Sequence, residues 1–328
     1  MKAGKLSESV MKRSIFKQLH SRRDDVRTRP AIGLDYSAIG AAEDEFVVLS
    51  CAPVTEDADY AAGMAVIAAL NNVACSGAYP VGVLISLLLP TSANEQQLKD
   101  IIKDINTVCE MANVEVLGGH TEVTRAVQKP LITATGIGKV HQEKLVDNHR
   151  IEPGMDLVVT KWIGLEGTAI LAMEKEEELL TRFSAPFIDK AKKFMEYMPV
   201  WSEAAVAAQS GAGGLHDVSE GGIFGALWEM AEAAGVGLEI ELKKIPIRQE
   251  TVEICEFFDI NPYKLISGGC MLIASENGEQ LQRELRHQGI ESTLIGRTTG
   301  GNDRVLLNGE ERRFLEHAQT DEIHKIMR

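Results

Sequence analysis

The sequence is short of pairable cysteines, of basic charge beyond residue 29, and of long apolar runs. Its five cysteines, Cys51, Cys75, Cys109, Cys255 and Cys270, are odd in number and no two have C-x-x-C spacing. That pattern indicates neither a zinc site nor a disulfide framework, and a reducing, cytoplasmic setting is expected. The longest apolar run, Val81 to Leu89, is far too short to cross a bilayer. The basic N-terminus has no apolar segment of the kind a secretory signal needs, so neither a membrane span nor a leader is expected. G-x-x-x-x-G-K-[ST] is also absent, and no clean G-x-G-x-x-G follows a strand-like run. A P-loop is therefore excluded.

What is present is an acidic chain of 328 residues with a formal net charge of −14. Residues 1–29 hold nine Lys/Arg against three acids, +6, which leaves −20 for the remainder. An acidic body argues against nucleic acid as a partner. The basic arm reads first as the solvated face of an amphipathic helix. Its sharper use would be to supply cations to a phosphate ligand, through Arg22 or Arg23. The length implies two domains rather than one, and 45% hydrophobic residues suffice for two cores. Asn148 and the turn Glu152-Pro153-Gly154 punctuate the middle, dividing the chain into 1–148 and 149–328.

Both halves alternate strand and helix patterns, which predicts an α/β layer architecture in each. The first half reads as a helix over 6–20, a strand in EFVVLSCAPVT ended by Pro53, and a small-residue helix through Ala61, Ala65, Ala68 and Ala69 stopped by Ser76-Gly77. A buried strand follows from Val81, then an amphipathic helix over 94–113, and VEVLGGHTEVT as strand then loop. In the second half GLEGTAILA begins as a glycine loop and becomes a helix. SGAGGLHDVSEGG reads as a loop feeding another helix.

Four segments combine glycine or a tight turn with polar groups: Gly33 to Ser37 with Asp35, the pair Asn71-Asn72, Gly118-Gly119-His120-Thr121-Glu122, and Gly211 to Gly222 with His216-Asp217. Glycines let backbone N–H groups approach an anion, and a following helix adds its positive end. Carboxylates beside such loops suit Mg²⁺, a cation that takes oxygen ligands. Each segment alone could be a turn. His120 and His216 could equally cap or hydrogen-bond, since no paired-histidine spacing supports a metal site. Cys51 and Cys75 have no histidine near them in sequence, and a buried structural thiol is commoner than a reactive one.

At these segments the chain resembles the aminoimidazole-ribonucleotide-synthetase-like superfamily, almost end to end and in order. GLDYSAIG is similar to its Gly-x-Asp-Ala-Ala segment and LNNVACSGAYP to Asn-Asp-x-x-x-x-Gly-Ala-x-Pro. GGHTEVT is similar to Gly-Gly-[Asp/His]-Thr-Glu, and GLHDVSEGG to His-Asp-x-[Thr/Ser]-x-Gly-Gly. GGHTE and GLEGTAILA point to the hydrogenase-maturation-like, synthetase-related branch. The resemblance implies a two-domain PurM-like fold, α/β (α+β). Its N-terminal sheet domain dimerises, and a C-terminal α/β domain closes an ATP cleft.

The resemblance also implies ATP-dependent activation of an oxygen of a small substrate through a phosphorylated intermediate, with Mg²⁺. The ATP site would comprise Asp35, Asn71, Asn72, Gly118, Gly119, His120, Thr121, Glu122, His216 and Asp217, with Asp35, Asn72 and Glu122 on the metal. The carboxylate set is thinned, however: Ala52, Asn72 and His120 stand where Asp is usual. Glu56, Asp57 and Asp59 lie close in sequence and could substitute.

No cysteine follows Cys270, so carbamoyl-to-cyanide chemistry on a C-terminal cysteine does not carry over. Selenophosphate synthesis is disfavoured by the lack of a reactive cysteine in the N-terminal arm. The expectation is a homodimeric ATP-dependent protein of ligase, kinase or dehydratase type, with no nucleic-acid or membrane partner. Its rivals are a degenerate, non-catalytic member acting as a partner or scaffold protein, and a small-molecule kinase of the thiamine-monophosphate kinase type.

Overall fold

Small residues decide how the first half packs. In the computed structural model, which describes residues 4–5, 8–24, 44–54, 60–316 and 321–327, the chain forms two units, Met1–Leu145 and Val146–Arg328. The division falls just before Asn148 rather than after it. The Asn148 side chain explains this: its amide both donates to the Leu215 carbonyl (3.0 Å) and accepts from the Leu215 N–H (2.9 Å), so it belongs to the second unit.

The first unit contains β1 (Gly4–Lys5), α1 (Glu8–Ser14), β2 (Glu45–Val54), α2 (Ala61–Ala74), β3 (Tyr79–Pro90), α3 (Glu95–Ala112), β4 (Glu115–Thr124) and β5 (Leu131–His141). The sheet order is β1-β4-β3-β5-β2; only β3 and β4 run parallel, joined through α3. α2 lies directly on the sheet because β5 has glycines beneath it. A Cβ at Gly136 would come 2.6 Å from the Ala69 carbonyl oxygen, and one at Gly138 would come 2.4 Å from Val73 Cγ1. α3 follows its sequence signals closely. The Asn94 side chain accepts the Gln97 N–H (2.9 Å), Leu98, Ile102 and Ile105 are buried, and Asn113 ends the helix in left-handed geometry at φ 52°.

Two expectations are corrected here. Pro53 does not end its strand but lies inside β2, level with Thr133. β2 is an edge strand of the described sheet, and an edge tolerates a residue with no N–H to donate. The N-terminal helix stops at Ser14, and Phe16–Gln18 continues as a 3₁₀ turn.

The second unit contains β6 (Asp156–Thr160), α4 (Leu165–Glu174), α5 (Glu176–Leu179), α6 (Ala185–Lys192), α7 (Trp201–Gln209), β7 (Gly214–Val218), α8 (Gly222–Ala234), β8 (Gly237–Glu241), α9 (Gln249–Phe257), β9 (Cys270–Ser275), α10 (Gly278–His287), β10 (Ser292–Thr299), β11 (Arg304–Asn308) and β12 (Glu311–Phe314). Its sheet order is β12-β11-β8-β10-β6-β9-β7, antiparallel except for β8 with β11. Leu227, Met230 and Ala231 of α8 pack with Leu157, Leu238 and Leu272 in the main core. α7 and α10 pack on β9, β6 and β10. Among the described residues, no helix is long and apolar enough to cross a membrane.

Candidate functional site

Both histidine motifs lie on strands, where the sequence pattern suggests loops. Gly118 to Glu122 belong to β4, and Gly214 to Val218 form β7. The glycines of the first motif serve close backbone packing. Gly119 has φ +144°, and a Cβ there would meet the Ile85 carbonyl oxygen at 1.8 Å. β4 is thus wedged against β3 by a residue that must lack a side chain.

Strand alternation divides the motif. Thr121 lies on the face covered by α2, together with Val123, while His120 and Glu122 lie on the opposite face. His120 Nε2 is 3.4 Å from Glu122 Oε2, and both side chains are partly exposed. They form an accessible polar pair on that face.

Asn71 and Asn72 are placed elsewhere. Asn71 is buried in α2 (2% exposed) and Asn72 is exposed. The adjacent Val73 packs at Gly138, near the C-terminal end of β5. Glu122, in contrast, is level with Leu88 and Leu131, at the start of β5. Those levels are about 23 Å apart at the usual rise of extended chain, and the two residues face opposite sides of the sheet. Asn72 and Glu122 therefore do not share a metal site within one chain. Ala52 is buried on the α2 side, opposite Ala134. Asp35 and the stand-in acids Glu56, Asp57 and Asp59 lie outside the described residues. Among the described residues, no group of three or more His, Cys, Asp or Glu is arranged to hold a metal ion.

In the second unit His216 and Asp217 also point to opposite faces. His216 shares the α8 side, and its Nε2 is 2.8 Å from Glu229 Oε2. Asp217 is buried (6% exposed). Together with Lys161 and Glu203 it acts electrostatically on Cys270, whose thiol is pushed up chiefly by burial. Lys161 Nζ is 2.5 Å from Glu203 Oε1 and donates to the Tyr197 and Pro199 carbonyls.

Three glycine segments meet beyond the ends of β6, β7 and β9. Gly164 N–H donates to Ser267 Oγ (2.7 Å), Gly167 N–H to the Ile266 carbonyl (3.0 Å), and Gly268 N–H to Glu166 Oε2 (3.1 Å). Ser267 N–H reaches the Ser219 carbonyl, linking the pair to Ser219–Gly222. The Leu265–Gly269 segment is missed as part of the site by sequence reasoning. Its signal is the pair Gly268-Gly269 placed just before an apolar strand, as Gly213-Gly214 lead into β7. The Gly221 N–H is already bound, by Asp321 Oδ2 at 2.7 Å. The basic arm is likewise engaged within its own unit: Arg22 with Glu115, and the Arg23 guanidinium with the Asn113 carbonyl.

This arrangement matches known proteins along its length. The chain is 29% identical over 248 residues to a candidate hydrogenase expression/formation protein of Methanocaldococcus jannaschii, covering 74% of this chain and 72% of that protein. It is 25% identical over 240 residues to the carbamoyl dehydratase HypE of Rhodobacter capsulatus, covering 71% and 68%. The crystal structure of hydrogenase maturation protein HypE in complex with ATP superposes with a TM-score of 0.81 at 17% identity, over 96% of this chain and 95% of that one. The N-terminal domain profile of AIR synthase related proteins matches residues 35–140, and the C-terminal domain profile matches residues 152–307. With both domains matched in order, the chain belongs to the AIR synthase related family.

Proposed function

We propose that this protein binds ATP and uses it to activate an oxygen of a small substrate by phosphorylation. The observation that carries the reading is that 96% of the chain has the fold of a maturation protein crystallised with ATP. The relative named carbamoyl dehydratase supports the same class of chemistry. In this reading residues 1–145 are the ATP-binding and dimerisation domain and 146–328 the second AIR-synthase-like domain. His120 and Glu122, on one face of β4, serve the phosphates.

The residues act by electrostatics and position rather than by a covalent nucleophile. His120 can donate a hydrogen bond to a phosphate oxygen. Glu122, 3.4 Å away, orients that imidazole. Magnesium, when bound, would neutralise phosphate charge. Of the three residues expected to hold it, Glu122 alone lies on this face; Asn72 is remote and Asp35 lies outside the described residues. The described residues do not fit the ion within one chain, and no step is assigned to it.

A homodimer in a cytoplasmic setting completes the reading. The β2 face turned away from α2 exposes Val47 (44%) and Leu49 (63%) beside Cys51, an apolar strip on an edge strand. Such a strip suits a second copy of the same sheet.

The separation of Asn72 from Glu122 favours a second reading, a non-catalytic partner or scaffold protein. Thermal-shift titration with ATP and ADP, with and without Mg²⁺, separates the two. The first reading expects Tm to rise with nucleotide concentration, since a ligand of the native state must stabilise it. A Tm indifferent to every nucleotide overturns it and leaves the scaffold.

A further inference from the structure

α8 begins with two consecutive left-handed glycines, Gly221 (φ 83°) and Gly222 (φ 62°), neither with a side chain to cap the helix. The cap comes from a hundred positions downstream. Asp321 is 2% exposed, and its Oδ2 accepts the Gly221 N–H at 2.7 Å. Its Oδ1 accepts the N–H of Ile323 at 2.9 Å, and the Ile266 backbone N–H lies near enough to the same carboxylate to favour its ionised form. One side chain thereby joins the His216–Gly222 segment, the Leu265–Gly269 segment and the C-terminal turn. The neighbours reinforce it: His324 Nε2 lies 3.3 Å from Glu220 Oε1, and Glu322 Oε2 accepts from Asn261 N–H (3.1 Å) and Lys325 Nζ (2.6 Å).

We propose that the C-terminal turn Asp321–Lys325 is a strap that sets the conformation of the His216–Gly222 segment, with Asp321 as its positioning residue. The physical reason is that left-handed glycines hold no fixed conformation by themselves. A buried N–H also needs a partner. Asp321 supplies the partner for two of them at once. Burial pushes its carboxyl up, while the N–H groups of Ile323, Gly221 and Ile266 pull it down. Removing the charge therefore loosens the segment locally. The effect on nucleotide rests on the ATP-binding reading above; the effect on the segment does not.

Hydrogen exchange with residue resolution tests the strap. In the wild-type protein the amides of Gly221, Ile266 and Ile323 open as one unit, with the same protection. In Asp321→Asn, which has one acceptor oxygen instead of two, exchange at Gly221 and Ile266 rises at least tenfold. Glu322→Gln breaks the neighbouring anchor without touching Gly221, and leaves that amide's protection within twofold. Nucleotide affinity, read by calorimetry well below Tm, falls about tenfold in Asp321→Asn and holds in Glu322→Gln. Unequal protection of the three wild-type amides overturns the strap, as does unchanged Gly221 exchange in Asp321→Asn or an equal rise in Glu322→Gln. Nucleotide that fails to bind the wild type sinks the ATP reading instead, and the exchange results still decide the strap.

Discussion

The Arg22 guanidinium lies 3.0 Å from the Glu115 carboxylate, a side chain 1% exposed at the start of β4. Arg23 adds its backbone N–H to the same carboxylate and its guanidinium to the Asn113 carbonyl. The arm cations thus serve the junction of α3 and β4. Arg22→Ala removes one cation from a buried carboxylate. The expected cost is about 1–3 kcal/mol, below the figure for a fully buried pair because Arg22 is half exposed. Denaturant unfolding reads that loss. Nucleotide affinity of the folded variant should be unchanged, and weakened affinity would return Arg22 to the ligand.

Gly119 carries a sharper expectation. Ala at this position puts Cβ into the Ile85 backbone at a φ that L residues avoid. Gly119→Ala should destabilise by at least about 3 kcal/mol or prevent folding. If instead the variant folds normally and loses only nucleotide affinity, Gly119 is a phosphate-cradling glycine after all.

These two positions show what the sequence discloses and what it hides. α3 is legible throughout, because its Asn caps and 3.6-residue apolar period are local signals. The small residues of α2 are equally legible, though their partners Gly136 and Gly138 become visible only with the sheet. Gly-Gly-His and Gly-Leu-His look like loops by composition, yet β3 and β9 pair with them and tertiary pairing overrides local propensity. The division of His120 from Thr121, and of His216 from Asp217, follows from strand period and was hidden by the loop assignment. Asp321 leaves no local trace, since its partner lies a hundred positions away.

The cysteines report on the open face of the first sheet. Cys51 is exposed, whereas burial pushes the Cys109 and Cys255 thiols up to about 12 and also raises Cys270. The thiolate is the reactive form, so a thiol-exchange reagent at pH 8 should leave these three untouched until the protein unfolds. Cys51 should react quickly when dilute and more slowly as the protein is concentrated, if the Val47–Leu49 strip meets a second copy. Leu49→Asp should make the Cys51 rate independent of concentration. A rate independent of concentration in the wild type, with a monomer mass by sedimentation, refutes the dimer.

The contact of α1 with α3 has its own pH dependence. Arg13 binds Glu95 through two hydrogen bonds, 2.8 and 2.6 Å, and Lys99 lies 3.2 Å away. The Arg13 hydrogen bond, followed by that of Lys99, holds the Glu95 carboxyl down at about 2. Because the folded value lies below the unfolded one, the contribution is complete above about 4.5 and lost as pH falls toward 2. Glu95→Gln should therefore differ from wild type in the hydrogen exchange of α1 at pH 6. The difference should shrink steadily through that acid window. A difference constant from pH 6 to 2 would detach α1 from this ion pair.

His120 offers the most direct approach to the metal question. An imidazole is a poor partner for magnesium, which takes oxygen. His120→Asp would set two carboxylates on one face of β4, at positions where His120 and Glu122 now lie 3.4 Å apart. Without a cation, like charges so close repel, and the variant should lose up to about 1 kcal/mol. Magnesium should restore that stability in the variant while leaving the wild-type Tm nearly unmoved. Calorimetric titration should then show ATP binding more dependent on Mg²⁺ in the variant than in the wild type. If Mg²⁺ raises Tm equally in both proteins, the ion binds away from β4. Glu122 would then keep its role toward His120 and lose its expected role on the metal.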